Sequence, residues 1–116
     1  ARSYLSYMDE ALGAYVNGKP RMALDDLYFL LGQYPDDVNA QFYAGLACYD
    51  LGLLPRAQRL FREANTNTMD TFDEEAAWYL ALTTERMDGP AAAKPAFEAI
   101  AKQDGFYAEQ AAKHLK

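Results

Sequence analysis

The stretch FYAGLACYDLGLLPRAQRLFREA, residues 42–64, decides the fold. It is apolar nearly all round as far as Tyr49 and breaks at Asp50–Gly52. It takes a proline at 55 and then resumes with Ala57, Phe61 and Ala64 at helical spacing. A glycine closes a helix in the left-handed conformation without a Cβ clash. A proline suits the first turn of the next helix, where its missing N–H costs nothing. The stretch therefore predicts helix, tight turn, helix.

The same pattern occurs on either side, in VNGKPRMALDDLYFLL (16–31) and RMDGPAAAKPAFEAI (86–100). Gly18 matches Gly52 and falls beside Asp88 and Gly89, and Pro20, Pro55 and Pro90 follow. Ala23, Ala57 and Ala93 match, as do Leu27, Phe61 and Phe97, then Leu30, Ala64 and Ile100, with offsets of 34 and then 36 residues. The three alanines are placed to meet the small residues Ala11, Gly45 and Ala81 of the preceding helices, so that each pair packs closely. The bulky residue four positions later lies on the same helical face.

Seven helices are predicted, over about 3–17, 20–33, 37–51, 54–66, 72–87, 90–103 and 105–115. The loop ANTNTMDTF absorbs the two extra residues of the second offset. Asp36 or Asp37 is placed to cap the third helix, and Thr71 with Glu74 to form a capping box on the fifth. Pro95 falls inside the sixth helix and predicts a bend. The tail GFYAEQAAKHLK reads as a capping helix that turns Phe106, Ala108, Ala111, Ala112 and Leu115 onto the last pair.

A period of 34 residues with this punctuation resembles the tetratricopeptide repeat. The middle unit keeps that family's small residue (Gly45), inter-helix glycine (Gly52), alanine (Ala57), aromatic (Phe61) and last alanine (Ala64), and the first unit keeps Gly18, Ala23 and the closing Pro35. It departs from the family at the tryptophan-like slot, which holds Tyr7, Gln41 and Ala77, and at the tyrosine slot, which holds Ala14, Cys48 and Thr84. The resemblance implies an all-α, right-handed α-solenoid of three helix-turn-helix pairs, about 3–35, 37–69 and 72–104. With a capping helix at 105–115 these form a single domain over 1–116. The tail and AAWYLAL together resemble repeat segments of some bacterial cell-envelope tetratricopeptide proteins.

The resemblance also implies a non-enzymatic protein-binding scaffold whose first helices line a concave groove. Mapped onto this chain, the partner-binding set is Met8, Tyr15, Phe42, Leu46, Tyr49, Asp50, Trp78, Leu82, Glu85 and Arg86, with Leu5, Leu12 and Glu75 beside them. Family members that clamp a peptide's terminal carboxylate use lysine, arginine and asparagine at these sites. The apolar residues here disfavour that ligand and favour an apolar peptide segment or helix. Two readings of Phe42, Tyr49, Trp78 and Tyr79 stay open: packed core, or an exposed strip that anchors a partner. The alternative function is self-association, or docking within a larger bacterial envelope protein.

Composition agrees with a folded interaction domain. At 116 residues and 51% hydrophobic content the chain suffices for one core. A net charge of −6 argues against nucleic acid and leaves a neutral or basic protein partner, or a second copy. Cys48 is the single cysteine and forms no internal disulfide. No apolar run reaches the roughly 18 to 20 residues of a spanning helix, so this segment is not expected to insert in a membrane. The start at Ala1 reads as part of a longer chain, in the cytoplasm or the periplasm. No cofactor, metal or catalytic residue is predicted. His114 is the lone histidine and reads as a helix-end residue, while DTFDEEA lacks the glycine and spacing of a calcium loop. Arg56, Arg59 and Arg62, and the acidic Asp25 and Asp26, read as solvated faces.

Overall fold

The computed structural model describes residues 2–116, and these residues form seven α-helices and no strand. The helices are α1 (Tyr4–Val16), α2 (Pro20–Gln33), α3 (Val38–Asp50), α4 (Leu54–Thr66), α5 (Asp73–Asp88), α6 (Pro90–Lys102) and α7 (Ala108–His114). A single 3₁₀ turn, Asp70–Phe72, leads into α5. Each helix packs against the next in chain order, and the array measures 50 × 27 × 21 Å.

The turns repeat as closely as the sequence does. Gly18 and Gly52 both have φ of 76°, and each is followed by a backbone bond back across the helix end. Lys19 N–H donates to Ala14 O and Leu53 N–H to Cys48 O, both at 2.8 Å. This is the paired closure that a left-handed residue after a helix permits. In the third unit Gly89, with φ of 94°, joins α5 directly to α6. Asp37 caps α3, its carboxylate accepting from Ala40 N–H at 3.0 Å and from the Tyr4 hydroxyl at 2.9 Å.

The matched alanine and bulky apolar positions are buried. Ala11, Ala23, Ala57 and Ala93 are fully covered and Ala81 nearly so. Leu27, Phe61 and Phe97 are 1%, 0% and 2% exposed. Gly45 shows why smallness is needed: a Cβ there would lie 2.7 Å from Cε1 of Phe61. The glycine lets α3 settle onto the Phe61 ring, whose burial is worth about 1.5–3 kcal/mol.

Three expectations need correction. No capping box opens α5: its N-cap is Phe72, without a side-chain hydrogen bond, because the 3₁₀ turn feeds the helix instead. The capping helix starts at Ala108 and not at 105. It packs through Tyr107, Ala111 and His114, leaving Phe106 (75% exposed), Ala112 and Leu115 outward. Cys48 is buried. Its sulfur lies 3.5 Å from the Tyr28 hydroxyl of the preceding unit. Pro95 does not break α6, which runs from Pro90 to Lys102.

One polar network ties the loops. Buried Gln41 donates to Pro35 O at 3.0 Å and accepts from Asn67 Nδ2 at 2.9 Å, and the same amide donates to Asp36 O. The loop after α4 is thereby fastened to the loop before α3.

Gly45→Val is expected to destabilise the fold by about 1–3 kcal/mol through overpacking against Phe61. Gly13→Ala, where a Cβ meets nothing within 4 Å, should be neutral or stabilise by up to about 1 kcal/mol. Urea unfolding of the two variants checks both signs.

Candidate functional site

The ten candidate residues lie on α1, α3 and α5, the first helices of the three pairs, and the structure divides them by depth. Met8 (7% exposed), Phe42 (5%) and Leu46 (9%) are core. Phe42 stacks on Phe72 at 4.4 Å and meets Phe61 and Tyr79 at 5.9 and 6.1 Å. These three residues are not an open apolar strip, because the aromatic rings of the neighbouring turn and of α5 cover Phe42. Trp78 is half-buried and covered by the tail, stacked on Tyr107 at 5.1 Å and edge-on to Phe97 and His114. Trp78 thereby helps to seat α7.

The remaining residues come together as a ladder across the helix ends. Tyr15, Tyr49 and Glu85 occupy one register position on α1, α3 and α5, and Val16, Asp50 and Arg86 occupy the next. The Tyr15 hydroxyl sits beside the Asp50 carboxylate. Arg86 donates from Nη1 to Tyr49 O at 3.1 Å, with its guanidinium carbon 4.6 Å from the centroid of the Tyr49 ring. Glu85 Oε2 lies 3.4 Å from His114 Nδ1. Each link runs from one helix to the next first helix or to the cap, so four helices are joined along one face. Tyr79 completes it, edge-on to Tyr49 at 6.1 Å and stacked on Phe61 at 5.6 Å.

The electrostatics follow from this packing. Burial and the Asp50 carboxylate together hold the Tyr15 phenol in its protonated form well above the usual range. Burial raises Tyr79 too, with the Asp50 charge adding to it. The first helices hold eight acids, among them Asp50, Glu75 and Glu85, against the single base Arg86. The second helices, α2, α4 and α6, hold six bases against four acids. The charge is thus segregated by helix type.

Elsewhere the structure holds fewer surprises. Arg56, Arg59 and Arg62 are exposed, as is Asp25, while Asp26 leans toward Glu10 and is raised by burial and that neighbour. His114 sits in the last turn of α7 and stacks on Phe97 at 4.5 Å. Reasoning from sequence missed Tyr107 and His114 as packing partners of Trp78. Their spacing of seven residues along α7, with Ala111 between them, was the available signal. Among the described residues no three His, Cys, Asp or Glu side chains are grouped to hold a metal ion, and no helix is long and apolar enough to cross a membrane. In comparison with known proteins, the chain matches no protein-family model and no curated protein sequence.

The tyrosines give a pH test. Tyr4, Tyr15, Tyr28, Tyr79 and Tyr107 are all raised above their ordinary value of 10.0 by burial. The folded chain therefore keeps phenolic protons that the unfolded chain releases above pH 10, and the stability they contribute is full below that pH and lost as it rises. Denaturant midpoints should fall steeply through this alkaline window. Asp50→Asn should weaken the dependence by relieving Tyr15.

Proposed function

We propose that this chain is a tetratricopeptide-like interaction module: a right-handed α-solenoid of three helix pairs and a capping helix, with no catalytic role. Its first helices form the concave side. Two observations support the curvature: α1 touches α3 and α3 touches α5, whereas successive second helices make no comparable approach among the described residues. A row whose members draw together lies on the inside of a bend.

On this reading the concave face receives a protein segment that combines apolar and basic side chains. The carrying observation is the ladder, in which Tyr15, Asp50, Tyr49, Arg86 and Glu85 present half-buried aromatic surface beside carboxylates in a row rich in acid. Leu12 and Leu82 are half-buried on the same helices. Tyrosine supplies large contact area with few rotatable bonds, and a flanking carboxylate selects cationic partners. The rings are already locked by Arg86 and Tyr79, so binding orders little, which favours affinity.

A second reading, docking or self-association within a larger envelope protein, draws on the first pair. There Phe29 is 46% exposed although stacked on Tyr7 at 4.4 Å, and Tyr34 is 51% exposed. Light scattering separates the two: the binding reading expects a monomer, and docking between copies expects mass to rise with concentration.

Selection from a displayed random-peptide library tests the main reading. Enriched sequences should pair apolar residues with lysine or arginine. Binding should weaken by roughly tenfold, about 1.4 kcal/mol, in Tyr49→Ala and in Asp50→Lys with circular dichroism unchanged. Enrichment of acidic peptides, or affinity indifferent to both variants, would contradict it.

A further inference from the structure

The opposite side of the array carries a feature that the concave-face reading does not use. Four of the six arginines, Arg21, Arg56, Arg59 and Arg62, lie on α2 and α4, and all four are exposed. Arg21, Arg56 and Arg59 come from two different helices, and the charges of all three act on the thiol of Cys48, whose sulfur lies 3.5 Å from the Tyr28 hydroxyl. Arg56 sits beside that hydroxyl.

Among the described residues none of the four makes an ion pair. Asp25 lies four residues from Arg21 and Glu63 four from Arg59, both at helical pairing distance. Yet every ion pair among the described residues is made elsewhere, by Arg2, Lys113 and His114. The helix ends add to the charge. Arg21 and Arg56 stand in the first turns of α2 and α4, which hold no acid and no side-chain cap. The positive end of a helix dipole disfavours a cation there. Arginine placed against the dipole, unpaired, in a chain of net charge −6 is electrostatically unfavourable for the free molecule and is relieved by an anion.

We propose that the α2–α4 face is a second binding surface, and that it docks an acidic protein segment. Arg56, Arg59 and Arg62 recur every three residues, rising about 4.5 Å at each step. That spacing matches carboxylates on a partner helix or an extended chain. Guanidinium forks bind carboxylates in pairs of parallel hydrogen bonds, which a lysine cannot reproduce. An anionic membrane fits less well, because exposed Asp25 and Glu63 share these helices and the whole molecule is acidic. A module with an acid-rich front and an arginine-bearing back would join two partners of opposite charge.

The test is fluorescence anisotropy of a labelled octaglutamate peptide titrated with the intact chain at low ionic strength. Saturable binding is expected, weakened roughly tenfold by Arg56→Glu with Arg59→Glu. It should weaken less in Arg56→Lys with Arg59→Lys, where charge is kept and the fork lost, and stay unchanged in Tyr49→Ala on the other face. If circular dichroism shows that the reversal variant has lost helix, Arg56→Gln with Arg59→Gln is read in its place. Absence of saturable binding, or affinity that survives removal of both arginines, overturns the proposal. So does sedimentation of the chain with phosphatidylglycerol vesicles when the peptide is ignored.

Discussion

The close approach of α3 to the Phe61 ring at Gly45 is the contact on which the rest of the molecule depends. A glycine in mid-helix costs about 1 kcal/mol relative to alanine in isolation, so its presence points to a tertiary gain larger than that cost. Here the gain is a helix pair close enough for Phe61 to be fully enclosed. Ala11 and Ala81 hold the equivalent place in the flanking pairs and are buried in the same way. Once each pair is tight, a single left-handed residue suffices to turn the chain. The pairs then pack in chain order, α2 against α3 and α4 against α5.

This regularity generates the candidate site. Because first helices recur in register, a residue near the end of one helix falls beside its successor's neighbour on the next. The ladder from Tyr15 to Asp50, Tyr49 to Arg86 and Glu85 to His114 follows. The links differ chemically but share geometry. Their position across helix ends makes them a brace as well as a surface. The same segregation leaves acids on one set of helices and most arginines on the other, so shape and charge divide along one boundary.

What was legible in the sequence is what is local. Gly18, Gly52, the prolines and the small-residue positions act within one helix pair, and their reading needed no knowledge of distant contacts. A cap on α3 from Asp36 or Asp37 was legible for the same reason, and the structure selects Asp37. The depth of Phe42 and Trp78 was not, because what covers them arrives from elsewhere: Phe72 from an irregular turn, Tyr79 from the next pair, Tyr107 from the tail. Periodicity assigns a residue to a helical face without saying whether a neighbour lies over it. Of the polar residues of the candidate set, Asp50 and Arg86 are exposed and Glu85 is half-buried.

The pairing of Gly45 with Phe61 is directly measurable by proton nuclear Overhauser spectroscopy. Strong cross-peaks between the Gly45 Hα protons and the Phe61 ring are expected, with the Hα resonances displaced by the ring current. Gly45 Hα resonances at ordinary positions, with cross-peaks to another helix and none to Phe61, would contradict the repeat register and with it the placement of both faces.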